Sequence, residues 1–189
     1  MVKTFIDLDG VQANWEKKAI ELMELNEEEV IPKLKAGQDI EDIVGGDIWG
    51  KLDSTCDNFW TKLDLLPWAY DLVDTALKYG EVAFLSSGGN NYKRAYEVGE
   101  ANKGKGIWTS IHFQDYKIPL ILARNKEFCA SNDSILVDDR ITNIKRFEQY
   151  GGHGFHWPNA YKILQGDLDS KVVLGELEDK IISIDRRAA

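Results

Sequence analysis

The chain of 189 residues lacks several features that would place it in a particular class of proteins. It has only two cysteines, Cys56 and Cys129, and they do not show the spacing of metal ligands. No apolar run approaches the roughly 20 residues that cross a bilayer, and the N-terminus lacks the basic and apolar segments of a secretory signal. We therefore expect buried or idle thiols in a reducing compartment, a cytoplasmic location and no contact with a membrane.

The chain also lacks basic stretches, and its net charge is −9. Proteins that grip long DNA or RNA normally present a basic face to the phosphates, so this charge argues against a nucleic-acid polymer as partner. A small anionic ligand is compatible with it where local cations neutralise that ligand. The sequence leaves the oligomeric state open, with a homodimer as one alternative.

What the chain does contain is the composition of a globular protein, with 43% hydrophobic and 29% charged residues. This length fits one domain of ordinary size with room for an insertion, and it can bury a substantial core. The sequence shows neither an internal repeat nor a low-complexity segment.

Short apolar runs alternate with helical patterns along most of the chain. The runs that predict buried strands are 2–6, 81–87, 117–123, 134–139 and 152–157. The helical patterns begin near Gln12 and continue at 66–80, 91–103, 143–150 and 171–184. Continuous apolar strands that alternate with helices predict an α/β fold, a Rossmann-like three-layer sandwich with a central parallel sheet.

Residues 12–66 interrupt this alternation. From residue 26 to about residue 66 the chain is polar, prone to form helix and broken by the segments "AGQD" and "VGGD". Because it offers few β-branched runs, we interpret 12–66 as a small helical cap inserted into a core domain formed by residues 1–11 and 67–189.

Polar side chains follow four of the predicted strands. They are Asp7 and Asp9 after the first strand, Ser86 and Ser87 at the second, Lys126 past the third, and Asp138 and Asp139 at the fourth. In parallel sheets of this kind, ligands bind outside the carboxyl ends of the strands. Each signal alone also fits a turn, a loop or a surface ion pair, whereas their order indicates one shared site.

This set of side chains suits phosphoryl transfer through an aspartyl intermediate. Neighbouring carboxylates repel one another unless a divalent cation lies among them, and oxygen ligands beside a phosphate point to Mg²⁺. The cation also cancels the charge that keeps a carboxylate nucleophile away from a phosphate dianion. Ser86 and Lys126 would hold the phosphoryl oxygens as negative charge spreads over them.

The four segments resemble the four motifs of the haloacid dehalogenase (HAD) superfamily of phosphohydrolases, over roughly residues 1–11 and 67–157. Within it, the chain is most similar to the 5'(3')-deoxyribonucleotidase group, whose motifs read "DxDGVxAxF", "LTSxP", "LTRxK" and "IDDR". Here they read "DLDGVQANW", "LSSGG", "LARNK" and "VDDR". The proline of the second motif is replaced by Gly88 and Gly89, which makes the loop beside the leaving group more flexible.

The resemblance implies a role for each strand-end residue. Asp7 is the nucleophile and a Mg²⁺ ligand. Asp9 protonates the leaving oxygen, then activates water, and its backbone carbonyl also binds the metal. Ser86, Ser87 and Lys126 hold the phosphoryl group. Asp138 and Asp139 complete the metal site, and the sequence does not separate a direct ligand from one that acts through water.

The resemblance also implies a nucleoside monophosphate as substrate, with deoxy forms preferred. Trp15 stands where the deoxyribonucleotidase group has an aromatic residue that packs on the base. Further aromatic residues of the predicted cap could form a stacking slot or simply the cap's own core: Trp49, Phe59 and Trp60.

Two alternatives remain open at the level of the sequence. The chain could hydrolyse another small phosphate ester or the 3'-phosphate end of a nucleic acid. It could also be a receiver-like signalling module, which combines an acidic pair, a phospho-accepting aspartate, a hydroxyl and a lysine. The position of Asp9, two residues past Asp7, argues against the signalling module because a hydrolase needs an acid/base there.

Overall fold

A computed structural model describes residues 1–45, 48, 59–88 and 95–188 of the chain. Trp49, Cys56 and Gly89, which enter the predictions above, lie outside these residues. Five strands form one sheet in the order β3-β2-β1-β4-β5, and all neighbours pair in parallel. The strands are β1 Val2–Ile6, β2 Gly80–Ser86, β3 Leu120–Leu122, β4 Ser134–Asp138 and β5 His153–His156. The predicted parallel sheet is confirmed.

Helices occupy the segments between and after the strands. The helices are α1 Trp15–Leu22, α2 Glu27–Lys35, α3 Ile40–Val44, α4 Ala69–Leu77, α5 Ala95–Phe113, α6 Ile141–Gln149, α7 Ala160–Leu164 and α8 Ser170–Ala188. Short 3₁₀ turns lie at Trp60–Lys62, Gln114–Tyr116 and Lys126–Cys129. Within the described residues, no helix combines the length and the apolarity that a membrane span requires.

The sheet is covered on both faces, which explains why its strands are continuous apolar runs. Ile6 and Phe84 belong to the larger core cluster, where α4 packs on β2 and α8 packs on β1. Their chain neighbours Phe5 and Leu85 point to the opposite face, because side chains alternate along a strand. There they meet Phe147 of α6 in a smaller core cluster. The three-layer sandwich predicted from the sequence is therefore confirmed.

The strand ends converge because β1 lies in the middle of the sheet. Ile6, its last residue, pairs with Phe84 of β2 on one side and with Val137 of β4 on the other. The residues that follow these three strands therefore emerge at the same edge, as the prediction of a shared site requires.

The segment that contains α1, α2 and α3 leaves and rejoins the sheet domain at one place. Ala13 forms a β-bridge with Leu65, and the amide of Leu66 donates to the carbonyl oxygen of Gln12 at 2.9 Å. Asn14 caps α1 by accepting a hydrogen bond from the amide of Lys17. The division of the chain into a core domain and a cap stays a prediction.

The prediction of a helix over 91–103 is wrong at its C-terminal end, because α5 continues to Phe113. The predicted start lies outside the described residues. The glycine-containing run "GKG" at 104–106 lies inside the helix. Gly104 is buried against Trp60, and a Cβ atom at this position would lie 2.5 Å from the Trp60 Cβ. The glycine therefore serves close packing of α5 on the Trp60–Lys62 turn.

Candidate active site

The loop after β1 holds both of its aspartates at the sheet edge. The Leu8 carbonyl accepts hydrogen bonds from the amides of Gln12 and Ala13, both at 2.8 Å, which closes a tight turn. Gly10 has a φ of +76°, and a Cβ atom there would overlap Oδ2 of Asp139. Only glycine therefore allows the loops after β1 and β4 to touch.

Lys126 joins the nucleophile candidate to the acidic pair after β4. Its ammonium nitrogen lies 2.8 Å from Oδ2 of Asp7 and 2.6 Å from Oδ2 of Asp138. Burial, which leaves 3% of Lys126 exposed, by itself lowers the pKa of the ammonium. The attraction of the two carboxylates outweighs burial and raises the pKa of Lys126, so it is charged at neutral pH.

Asp138 is fully buried and accepts three hydrogen bonds from two groups besides Lys126. The amide group of Asn143 donates to both carboxylate oxygens at 3.0 Å, and the backbone N–H of Arg140 donates to Oδ1 at 2.9 Å. Burial raises the pKa of Asp138, and Lys126 opposes this effect. No role for Asn143 or Arg140 was predicted from the sequence, although Arg140 is the last residue of the fourth motif and Asn143 follows it by three residues.

Three carboxylates of the site can meet at one point. Single oxygen atoms of Asp7, Asp138 and Asp139 all lie within 4.8 Å of one another. Removal from water raises the pKa of Asp139 well above its usual range, and repulsion from Asp138 and Asp7 raises it further. A cluster of oxygen donors whose charge is this unfavourable fits a hard divalent cation such as Mg²⁺.

A second lysine, which the sequence did not reveal, contacts the other catalytic candidate. Lys105 of α5 is 3% exposed, and its ammonium nitrogen lies 2.5 Å from Oδ2 of Asp9. The same nitrogen donates to the hydroxyl of Ser86 at 2.9 Å and to the carbonyl oxygen of Ser87 at 2.8 Å. It also lies 4.6 Å from the ring centre of Trp60.

Asp9 experiences opposite effects from these surroundings. Burial raises the pKa of its carboxyl group, the charge of Lys105 lowers it, and the charge of Asp7 raises it again. Burial prevails, so the pKa of Asp9 lies above its usual value. Oδ1 of Asp9 is buried and has no hydrogen-bond partner among the described residues.

Most of the predicted site residues line one cavity of about 380 Å³. We call it the reaction cavity, and the predicted residues on its wall are Asp7, Asp9, Trp15, Ser87, Lys126 and Asp139. Ser86 and Asp138 are fully buried behind this wall and reach it through Lys105 and Lys126. The structure thus brings all eight predicted residues together.

The segment 12–66 contributes acidic groups beside this cavity. Glu41 of α3 accepts from the guanidinium group of Arg140 at 2.7 Å. Glu16 of α1 is buried and accepts two hydrogen bonds from the Asn159 amide, at 2.9 and 3.2 Å. Burial raises the pKa of Glu16 to about 7, with the Asn159 hydrogen bond opposing it and the charge of Asp39 adding to it.

The fold is shared with solved structures, whereas no protein-family model and no curated protein sequence matches the chain. A predicted phosphatase from Clostridium acetobutylicum superposes with a TM-score of 0.56 at 14% identity, over 96% of this chain and 98% of that one. A haloacid dehalogenase-like hydrolase from Streptococcus pneumoniae gives 0.48 at 12% identity, over 82% and 83% of the two chains. The chain therefore has the parallel α/β fold of the clostridial protein.

Proposed function

We propose that the chain is a magnesium-dependent phosphatase of the HAD type. It hydrolyses nucleoside monophosphates, with deoxy forms preferred, through an aspartyl-phosphate intermediate. One observation carries this proposal: Asp7 and Asp9 lie at the end of the central strand, and each is paired with a different buried lysine. Neighbouring carboxylates with separate cationic partners can take the separate roles of nucleophile and acid/base.

In the first half of the reaction, Asp7 attacks the phosphorus atom. A bond forms between a carboxylate oxygen of Asp7 and phosphorus, and the bond from phosphorus to the ester oxygen breaks. Asp9 gives its proton to that oxygen, a role that suits a carboxyl group with a raised pKa. Lys126 and Ser87 hold the phosphoryl oxygens, and Ser86, which lies behind the cavity wall, orients Lys105 by accepting its hydrogen bond.

In the second half, Asp9 has lost its proton and acts as a base. It accepts a proton from water, whose oxygen attacks phosphorus and displaces the carboxylate of Asp7. Lys105 stabilises Asp9 while it carries a negative charge, because its ammonium group lies 2.5 Å away. Asp7 is thereby regenerated and inorganic phosphate is released.

The carboxylates of Asp7, Asp138 and Asp139, with the backbone carbonyl of Asp9, would hold Mg²⁺. The bound cation would neutralise the charge between the carboxylates and the phosphate. The three side chains fit it, because their oxygen atoms can approach one another within 4.8 Å.

Two tryptophans support a nucleotide as substrate. Trp15 and Trp60 both line the reaction cavity, and each comes from the segment 12–66. Only 6% of Trp15 and 9% of Trp60 is exposed, and Lys105 lies over the Trp60 ring. The part of the two rings that reaches the cavity offers an apolar surface from which a base gains more than a sugar phosphate does. In this proposal, residues 12–66 are a cap that contributes the base-binding side of the site.

The test is a phosphate-release assay on nucleoside monophosphates and sugar phosphates, with and without Mg²⁺. We expect turnover only with the metal and higher kcat/KM on the nucleotides. Equal values on all esters would refute the nucleotide specificity and leave the phosphatase activity standing. No release from any ester would refute the phosphatase itself.

Asp7→Asn tests the nucleophile. This variant should abolish turnover and retain the circular dichroism spectrum, because an amide keeps the shape of the side chain but cannot attack. Substantial activity of Asp7→Asn would contradict the aspartyl-phosphate mechanism.

Asp9→Asn should slow turnover by about 10²- to 10⁴-fold, the usual contribution of a positioned acid/base.

A further inference from the structure

A second cavity adjoins the reaction cavity at the end of β3. It has a volume of about 530 Å³, and its lining residues are Ala123, Arg124, Asn125, Phe128, Cys129 and Arg146. We call it the arginine cavity. Arg124, Asn125 and Arg146 line both cavities. A ligand whose phosphate is held beside Lys126 can therefore extend directly into the arginine cavity.

The two cavities differ in the charge of their walls. The reaction cavity sets four carboxylates, those of Asp7, Asp9, Glu41 and Asp139, against its cationic groups. The arginine cavity has two guanidinium groups and, among its lining residues, no carboxylate. In a chain with a net charge of −9, a wall on which both of the described charged side chains are arginines marks a place for an anion.

The positions of the two arginines suit a second phosphate near the first. Arg124 precedes Lys126 by two residues, so their Cα atoms are at most about 7 Å apart. The Lys126–Cys129 turn packs on α6, which carries Arg146. Guanidinium groups bind phosphate through paired hydrogen bonds, which makes arginine the side chain suited to this task.

The aromatic ring of Phe128 forms part of the wall of the arginine cavity. Phe128 is 75% exposed and meets Tyr150, itself 57% exposed, edge to face at 6.0 Å between ring centres. Phe128 belongs to the cavity wall, so its ring can lie against the carbon atoms of a ribose or the face of a base.

We propose that the substrate carries a second phosphate group on its leaving group, and that Arg124 and Arg146 bind it in the arginine cavity. The phosphate beside Asp7 is hydrolysed and the second one is retained. This inference rests on the proposed phosphatase activity and revises its preferred substrate, from a nucleoside monophosphate to a nucleotide that carries a second phosphate group. A nucleoside 3',5'-bisphosphate is a small nucleotide with this chemistry, and a 5'-phosphorylated dinucleotide presents it at a nucleic-acid end.

The first test compares kcat/KM for a nucleoside 3',5'-bisphosphate and the matching 5'-monophosphate. We expect a preference of about tenfold or more for the bisphosphate, the contribution of one charge-assisted interaction. The double variant Arg124→Gln, Arg146→Gln should bring this ratio close to one. Lys145→Gln, which removes a charge from α6 outside both cavities, is the matched control and should keep the ratio.

The outcomes separate the inference from the proposed function. Hydrolysis of both compounds with equal kcat/KM would refute the binding of a second phosphate in the arginine cavity and leave the proposed phosphatase activity standing. The phosphorylated dinucleotide shows whether the second phosphate belongs to a free nucleotide or to a nucleic-acid end. A higher kcat/KM for the dinucleotide than for the bisphosphate indicates a nucleic-acid end, and the reverse indicates a free nucleotide. A preference for either compound over the monophosphate supports the same subsite.

A binding measurement keeps the inference testable without turnover. In titration calorimetry on the Asp7→Asn variant, the bisphosphate should bind about tenfold more tightly than the monophosphate. Arg146→Gln added to that variant should reduce the difference. Equal dissociation constants for the two nucleotides would overturn the inference whether or not the wild-type protein hydrolyses either one.

Discussion

At the scale of single residues, the pair of Lys105 and Asp9 is the contact with the most direct effect on chemistry. Burial raises the pKa of Asp9 and Lys105 lowers it, so the lysine decides how readily the carboxyl group ionises. The proposed mechanism needs both protonation states of Asp9 within one cycle. Lys105 therefore matters for the pH range in which the cycle runs, in addition to any contact with phosphate.

Lys105→Met should shift the activity profile toward higher pH. The substitution removes the charge that lowers the pKa of Asp9, so ionisation of Asp9 requires a higher pH. We also expect kcat/KM to fall about 10- to 100-fold, the size of one or two lost charge-assisted hydrogen bonds. The measurement is kcat against pH, with Lys105→Arg as the variant that keeps the charge. If the acidic limb of the kcat–pH profile of Lys105→Met coincides with that of the wild type, Lys105 does not control the ionisation of Asp9.

The difference between Lys105 and Lys126 shows how far the sequence could predict the site. Lys126 follows a strand, and strand ends meet at one edge, so its position is a consequence of the fold class. Lys105 lies in the interior of α5, 18 residues after Ser87 and away from any strand end. The packing of Trp60 against Gly104 brings Lys105 to the site. That packing depends on tertiary contacts, which neither the hydrophobic periodicity nor a sequence motif predicts.

Glu16→Gln should stabilise the protein at alkaline pH. The pKa of Glu16 is raised to about 7, so its neutral form contributes stability below the unfolded value of 4.5, and this contribution is lost as the pH rises through 7. Glutamine keeps one of the two Asn159 hydrogen bonds without the charge. Between pH 4 and pH 8, the stability gained by the variant over wild type should grow by about 3 kcal/mol. Denaturant unfolding at the two pH values measures this, and a pH-independent difference would contradict it.

At the scale of elements, α5 is the helix whose sequence pattern was least informative and whose placement matters most. It contains three glycines, and its buried residues include Trp108, whose indole N–H donates to the Leu63 carbonyl at 2.8 Å. Together with the contact between Gly104 and Trp60, this bond fixes the helix on the segment that precedes α4. The strands were predictable because they are apolar on both faces, whereas the end of α5 was not.

Gly104→Ala and Gly106→Ala form a matched pair of substitutions in this helix. The new Cβ at position 104 would lie 2.5 Å from the Trp60 Cβ, so we expect a loss of about 1 to 3 kcal/mol in the free energy of unfolding. The Cβ at position 106 meets nothing within 4 Å, and alanine there should add about 0.5 to 1 kcal/mol. Thermal or denaturant unfolding of both variants measures whether each substitution raises or lowers the free energy of unfolding. Equal effects would show that Gly104 does not set the helix position.

At the scale of the whole molecule, the net charge of −9 and the acidic cluster make stability sensitive to cations. Mg²⁺ should raise the melting temperature, by an amount that corresponds to about 2.7 kcal/mol at 100 times its dissociation constant. The affinity should fall as the pH falls, because the raised pKa values of Asp138 and Asp139 favour protonation over metal binding. Differential scanning calorimetry with Mg²⁺ and with chelator at two pH values measures both effects.

Asp139→Asn should have opposite effects in the two conditions. Without metal, the variant removes a carboxyl group whose ionisation is disfavoured by burial and by the charges of Asp138 and Asp7, so at alkaline pH unfolding should require more free energy. With Mg²⁺ the variant should gain less stability than the wild type, since one oxygen donor has lost its charge. A variant less stable than wild type in chelator would contradict the repulsion on which this prediction rests.

The central position of β1 has a consequence for hydrogen exchange. Its backbone is paired along both sides, by β2 and by β4, and helices cover both of its faces. Amide protons in such a strand exchange with deuterium only when the whole domain opens. Deuterium uptake should therefore be slowest immediately before Asp7. The carboxylate that we propose as nucleophile would then be anchored to the part of the chain that opens last.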